Sequence, residues 1–380
     1  MQNQILSNLR NGATPIILID NQLKLIAMCN KLSTHKEIAF DTEFDRFRWE
    51  YGFKLMLLQI YDGKSCFLID PKLIKCFKPV WSIFENPEIC KVVYSGREDV
   101  DLLKRNNCNP QNLFDIQKAF ALCNKDGKSF SELLKKELGL SLDKTEQTSN
   151  WSWRPLRLSQ LIYASNDVIY LLKLKEIVMM SGFTEEIKEI IQEENEILEA
   201  STTSDFIPKL SPKQIARYSK HKQEKLLALK IICDEFAEKL NIPPCDVVND
   251  KFLEEIIDEP FKFITEPFKK GFSKRALNLE IFRSKFTEVI QTIKVVENIA
   301  AKESRIIKDY ISIEEREKLK ALRDIRLDTF KEFIKRSFGE LASTVIMEGL
   351  SKRFNKEEIN WVGAKKYQIK FYRNFINQKT

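Results

Sequence analysis

The feature that most restricts the fold is a change of periodicity near Phe183. Short apolar runs of strand type occur only before it, and the chain beyond reads as helix to its end. Strands are expected at Ile16–Ile19, Glu37–Glu43, Phe53–Tyr61, Lys64–Ile69 and Ile89–Tyr94, the third and fourth joined by an Asp62-Gly63 turn. Helices are expected after Asp20 or Asn21 through Leu32, at Pro79–Phe84, from Gly96 to Asn106, at Asp115–Leu122 and Ser129–Leu138, and from a Ser159 cap through Met180. Strands first and helices interleaved later predict a mixed sheet flanked by helices. At 380 residues the chain is too long for one typical core. The apolar-poor stretch Ser201-Thr202-Thr203-Ser204-Asp205 is the best linker. It divides an α/β domain over 1–200 from helical domains over 208–292 and 300–380. Pro243-Pro244, Pro260 and Pro267 punctuate the first of these.

One strand ends in chemistry. In Ala39-Phe40-Asp41-Thr42-Glu43-Phe44 the two acids are one residue apart, so a strand projects them side by side. Two adjacent carboxylates are either solvated surface or half of a metal site, since each disfavours the other's ionisation unless a cation lies between them. Two more clusters bear on the choice. Tyr94-Ser95-Gly96-Arg97-Glu98-Asp99 ends a strand, turns at Gly96 and puts acids on a first helical turn, where capping is the ordinary role. Tyr163 and Asp167 are spaced i, i+4, one turn apart on one helix face. Asp167 lies in a very apolar helix, where an unpaired carboxylate is costly. Asp41, Glu43, Asp99 and Asp167 together suit two divalent ions roughly 3.5–4 Å apart, with Tyr163 orienting an attacking water.

The composition narrows the metal. Only His35 and His221 are present, and the eight cysteines form no CxxC pair. The ligands must therefore be oxygens, which favours magnesium or manganese over zinc. Scattered cysteines also suit a reducing cytoplasm, and no apolar run or leader-like start points to a membrane or to secretion. Charge is uneven: residues 1–200 carry 26 Lys+Arg against 28 Asp+Glu, and the remainder 36 against 27. A near-neutral half joined to a basic half suggests chemistry on one side and polyanion binding on the other, although Lys-rich helices are also simply soluble.

Read together, Phe40-Asp41-Thr42-Glu43-Phe44, Gly96-Arg97-Glu98-Asp99 and Tyr163-Ala164-Ser165-Asn166-Asp167 resemble the motifs of the DEDD superfamily of 3′–5′ exonucleases, in its tyrosine-containing branch. The likeness is greatest to the bacterial ribonuclease D family. Leu142 to Trp151, with Arg154-Pro155-Leu156 and Gln160, resembles that family's loop into the third motif. The region after about 210, with its Asn241-Ile242-Pro243-Pro244 turn, resembles a helicase and ribonuclease D C-terminal (HRDC) domain, and the last segment a divergent second copy. The resemblance implies a ribonuclease H-like fold. It also implies that Asp41, Glu43 and Asp167 bind the catalytic metal, that Asp41 bridges to a second ion held by Asp99, and that Tyr163 places the nucleophile. It implies an enzyme that shortens RNA from the 3′ end, trimming trailers from tRNA precursors and other small structured RNAs; the chain is expected to be a cytoplasmic monomer. Two other readings stay open: a 3′–5′ DNA exonuclease, and a catalytically silent RNA-binding module. Thr42, Phe44, Arg97, Lys144, Trp151 and Arg154 are the expected substrate contacts. Relatives commonly carry His at Tyr94 and Asp at Asn150. Phe44, Phe47, Trp49 and Tyr51, interleaved with Arg46 and Arg48, either stack on bases or pack under a loop, and Trp153 is a further aromatic beside the site loop. Lys144 near Glu146 suggests a surface ion pair, and 269–275 is a basic run.

Overall fold

The computed structural model describes residues 9–123, 129–201, 208–258, 281–282, 284–288, 327–350, 361 and 364–378. The expected linker, the Pro260 and Pro267 breaks and the basic run at 269–275 lie wholly or mostly outside the described residues.

Seven strands form one sheet: β1 (Arg10–Asn11), β2 (Thr14–Ile19), β3 (Glu37–Arg46), β4 (Phe53–Tyr61), β5 (Cys66–Ile69), β6 (Cys90–Val93) and β7 (Leu113–Asp115), in the order β1-β2-β5-β4-β3-β6-β7. β3, β4 and β5 are a meander, and β6 and β7 add in parallel beside β3. The sheet is mixed, as the strand pattern requires. Alternation along β3 sends Ile38 and Phe40 to one face and Ala39 to the other. The Phe40 face packs against α1 (Gln22–Leu32), α2 (Lys78–Phe84) and α3 (Arg97–Arg105) through Leu25, Leu32, Trp81, Phe84 and Leu103. The Ala39 face packs against α4 (Ile116–Leu122), α5 (Phe130–Leu138), α6 (Leu158–Ile169) and α7 (Leu171–Met179) through Phe120, Leu134, Leu161, Ala164 and Leu174.

Local chemistry sets most helix ends. Asn21 caps α1 by accepting from the Lys24 N–H, Ser129 caps α5, and Gly139 ends α5 in the left-handed region. The helix expected over 160–180 differs. It begins at Leu158, is interrupted at Tyr170 and continues as α7. Ser159 is not its cap, because its hydroxyl donates to Glu146.

Beyond α8 (Glu185–Ala200) come α9 (Pro212–Arg217), α10 (Lys220–Leu240), α11 (Pro244–Val247) and α12 (Asp250–Asp258). These build a core of their own from Leu226, Phe236, Val247 and Leu253. The helical residues 327–338, α13 (Glu340–Ile346) and α14 (Lys366–Asn377) behave differently. Their Phe330, Ile334, Ile346 and Phe371 join the same apolar cluster as the Ala39 face of the sheet. Buried Glu194 on α8 ties them down, accepting from Lys118 on α4 and from Lys365 and the Tyr367 hydroxyl at the start of α14. Among the described residues no helix is long and apolar enough to cross a membrane.

Candidate active site

β3 carries the first two acids at a place where the sheet opens. β6 pairs with β3 only as far as Ala39, so beyond that residue one edge of β3 is free. Asp41 and Glu43 project from this stretch toward α6. Thr42, between them, is buried and reaches the opened edge, where its Oγ donates to Asp99 Oδ1 at 2.5 Å. Asp99 is buried on the first turn of α3. The turn before α3 is strained in a way that fits its role. Ser95 takes φ of 55°, and Gly96, with an ordinary φ of −73°, is needed for close approach, because a Cβ there would stand 2.5 Å from Val93 Cγ1. Asp115, at the end of β7, holds that turn by accepting from the Ser95 and Gly96 N–H groups at 3.0 and 3.2 Å.

α6 supplies the other half. Asp167 comes over β3, and oxygens of Asp41, Glu43 and Asp167 lie within 4.8 Å of one another. One turn earlier on the same helix face stands Tyr163, whose hydroxyl favours the charged form of the Asp167 carboxylate. Trp151 packs on Tyr163 with ring centroids 6.1 Å apart.

Four carboxylates so placed cannot all ionise unaided. Burial raises Asp41 well above the ordinary carboxylate range, and Asp99, Asp167 and Glu43 add to the rise. Glu43 is raised for the same reasons, by burial and then by Asp167 and Asp99. Burial pushes Asp99 up to about 6 against the Thr42 hydrogen bond, and Asp167 up to about 7 against that of Tyr163. The Tyr163 phenol is raised by burial and by Asp167, which keeps it a donor. Closely spaced carboxylates with elevated proton affinity, to which no cationic side chain among the described residues is bonded, have the donor chemistry of a hard divalent cation site.

The expected substrate residues divide. Thr42 turns to Asp99. Phe44 packs edge-on against Phe53 at 4.9 Å, beside the apolar cluster on the face away from the acids. Arg97 is exposed and lines a cavity of about 1020 Å³ beside α8 and α14. Lys144 is exposed, and the pair expected with Glu146 gives way to Arg157 and Ser159 on that carboxylate. Trp151 is buried behind Tyr163. Arg154 is a correction: all five of its N–H donors are engaged within the protein. They reach both oxygens of Asp70 and the carbonyls of Met56, Trp151 and Trp153, leaving none for a phosphate. Tyr94 packs against Phe130, and Asn150 accepts from the Ser152 N–H and hydroxyl of its own loop. Three supporting residues escaped sequence reasoning: Asp70, Asp115 and Gln59. Gln59 sits directly across from Asp41 in the β3–β4 register, fully buried, with neither amide atom hydrogen-bonded. An Asp at a helix start was a readable signal for Asp115; nothing local marked the other two.

Comparison with known proteins follows this geometry. Residues 16–180 match the family model described as "3'-5' exonuclease". Ribonuclease D of Shewanella sp. (strain ANA-3) is 38% identical over 158 residues, covering 41% of this chain and 40% of the relative. Ribonuclease D of Desulfotalea psychrophila is 31% identical over 255 residues, covering 63% and 66%. The match thus spans about two fifths of the length of the first of these relatives. Among solved structures, Escherichia coli RNase D, an exoribonuclease involved in structured RNA processing, superposes with a TM-score of 0.68 at 19% identity, covering 96% of this chain and 98% of that one. The catalytic core of RRP6 from Trypanosoma brucei superposes at 0.61 and 21% identity, covering 78% and 83%. At such identities the structural likeness speaks for the fold.

Proposed function

We propose that this chain, whose residues 16–180 match the 3′–5′ exonuclease family model and which is similar to bacterial ribonuclease D, is a metal-dependent 3′–5′ exoribonuclease. The observation that carries this is the convergence of Asp41, Glu43 and Asp167 oxygens within 4.8 Å, with Tyr163 one helical turn from the last of them. In this reading Asp41, Glu43, Asp99 and Asp167 hold Mg²⁺ or Mn²⁺, two ions per site. Bound there, the ions would lower the pKa of water and neutralise charge on the scissile phosphodiester and its leaving oxygen.

The chain's own groups do the rest. Thr42 keeps the Asp99 carboxylate turned inward through a charge-assisted hydrogen bond. Tyr163, neutral because its pKa is raised, presents a hydroxyl that orients water for in-line attack on the terminal phosphodiester. Trp151 fixes the plane of the phenol ring. Each cycle releases one 5′-mononucleotide. The helical regions, taken as HRDC-type domains over 208–292 and 300–380, belong to the half of the chain with excess positive charge, which suits contacts to an RNA backbone. The proposed substrates are 3′ trailers of tRNA precursors and other small structured RNAs, processed in the cytoplasm by a monomer.

A digestion series tests this. With magnesium or manganese, a 3′-extended tRNA precursor should shorten one nucleotide at a time and stop at the mature end. A matched DNA strand shortened faster would instead favour a DNA exonuclease. RNA retained without turnover would favour a binding module.

A further inference from the structure

Two tryptophans are exposed on the loops that leave β3 and enter α6, the two elements carrying Asp41, Glu43 and Asp167, and both loops are tightly built. Trp49, 44% exposed, lies on the loop that leaves β3 six residues after Glu43, and the Arg48 guanidinium stands 5.2 Å over its ring. Trp153, 70% exposed, lies on the loop entering α6, two residues after the Trp151 that packs on Tyr163. Neither loop is slack. The buried Asp45 carboxylate accepts from the backbone N–H groups of Arg48, Trp49 and Glu50. Arg154 binds the Trp153 carbonyl while anchored on Asp70. One side chain clasps the two loops together: Lys72 Nζ donates to Glu50 Oε1 at 3.0 Å and to the Ser152 carbonyl at 2.7 Å. The residues clasped are the immediate neighbours of the two tryptophans.

An indole held rigid and left in water forgoes the burial that usually offsets its ordering, so two of them on loops joined by Lys72 and continuous with the acid-bearing elements call for an occupant. Bases of a single strand fit, because every base has a face that stacks on an aromatic ring and Arg48 adds a cation for the backbone. We infer that Trp49 and Trp153, with Arg48, form a stacking platform for the single-stranded RNA segment leading to the cleaved 3′ end, so that the site grips several unpaired nucleotides upstream of the one it removes. This rests on the exoribonuclease reading above and deepens it by naming an unpaired strand as the feature gripped.

The test uses the full chain carrying Asp41→Asn, so that RNA stays intact, and fluorescence anisotropy with 5′-labelled single-stranded RNA. Lengthening the RNA from a dinucleotide to about 10 nucleotides should tighten binding. Trp49→Ala and Trp153→Ala should each reduce that gain by roughly 5- to 100-fold, and Trp→Phe at either position should recover most of it. If both alanine variants gain as much affinity with length as the parent, while wild-type protein shortens RNA, the platform is wrong and the exoribonuclease reading stands. If wild-type protein releases no nucleotide and the Asp41→Asn chain binds no RNA of either length, both fall.

Discussion

Thr42 shows how much of the site depends on a residue that is neither acid nor phenol. It lies between Asp41 and Glu43, is buried, and donates to Asp99 across the edge that β6 leaves open. Thr42→Val keeps the volume and removes the donor, and a hydrogen bond to a charged group contributes about 1.5–3 kcal/mol. The expected result is a fall in kcat/KM of roughly 10- to 100-fold, with more metal needed for half-maximal rate, measured by metal titration of the reaction. Asp167 makes a second prediction. Its ordinary pKa is 3.8 and burial raises it to about 7 in the fold, so the folded state holds the proton more tightly than the unfolded chain. The stability this contributes is complete below the ordinary value and is lost as pH rises through the raised one. Metal-free protein should therefore show a falling thermal midpoint between about pH 4 and 8. Mg²⁺ should raise it most at the upper end, and Asp167→Asn should flatten the profile.

Among the elements, the loop from Asn150 to Arg157 is organised by Arg154, which joins it through three donors to Asp70 and to the Met56 carbonyl on β4 and holds the loop's own Trp151 and Trp153 carbonyls with the other two. Arg154→Ala leaves the buried Asp70 carboxylate without its cation, a change that costs about 3–5 kcal/mol at a buried pair. Denaturant unfolding should show that loss, and activity should fall because Trp151 no longer backs Tyr163. If Arg154→Ala leaves stability unchanged and weakens only RNA binding, the anchoring role is wrong. The elements differ in how far they could be read beforehand. β3, β4, α1 and α5 were legible because short apolar runs, an Asn cap and a terminal Gly are local signals. β1 and β7, two and three residues long, carry too little pattern to register. The interruption at Tyr170 lies in a run apolar on both sides, where helical periodicity offers no marker. The acids and Tyr163 were legible by type and spacing. The role of Arg154 was not, because its partners are 84 and 98 residues away. From the sequence Gly96 permits a tight turn, whereas the constraint on it is its close approach to Val93, which only the packed fold creates. Gly96→Ala should cost about 1–3 kcal/mol by overpacking and shift Asp99, a loss visible in thermal unfolding.

Over the whole molecule, the helices after residue 327 share an apolar cluster with the seven-stranded sheet, whereas α10 to α12 have a core of their own. α10 still touches the loop between β3 and β4 and the start of β4, where the Tyr51 hydroxyl donates to Asp234 and Lys54 to Asn241. A chain ending at residue 201 would expose the surface under Phe330 and Phe371 and strip buried Glu194 of Lys365 and Tyr367. It should aggregate or bind a hydrophobic dye, whereas Tyr51→Phe should fold normally; sedimentation and dye fluorescence check both. The central claim is that the carboxylates gathered around Asp41 make this chain an RNA-shortening enzyme. The most direct measurement is mononucleotide release from 3′-labelled RNA by the full chain with Mg²⁺ or Mn²⁺, wild type beside Asp41→Asn. The account predicts stepwise release by the wild type, none after chelation and none from the variant. Undiminished release by Asp41→Asn, or no release by wild type with either metal, would contradict it.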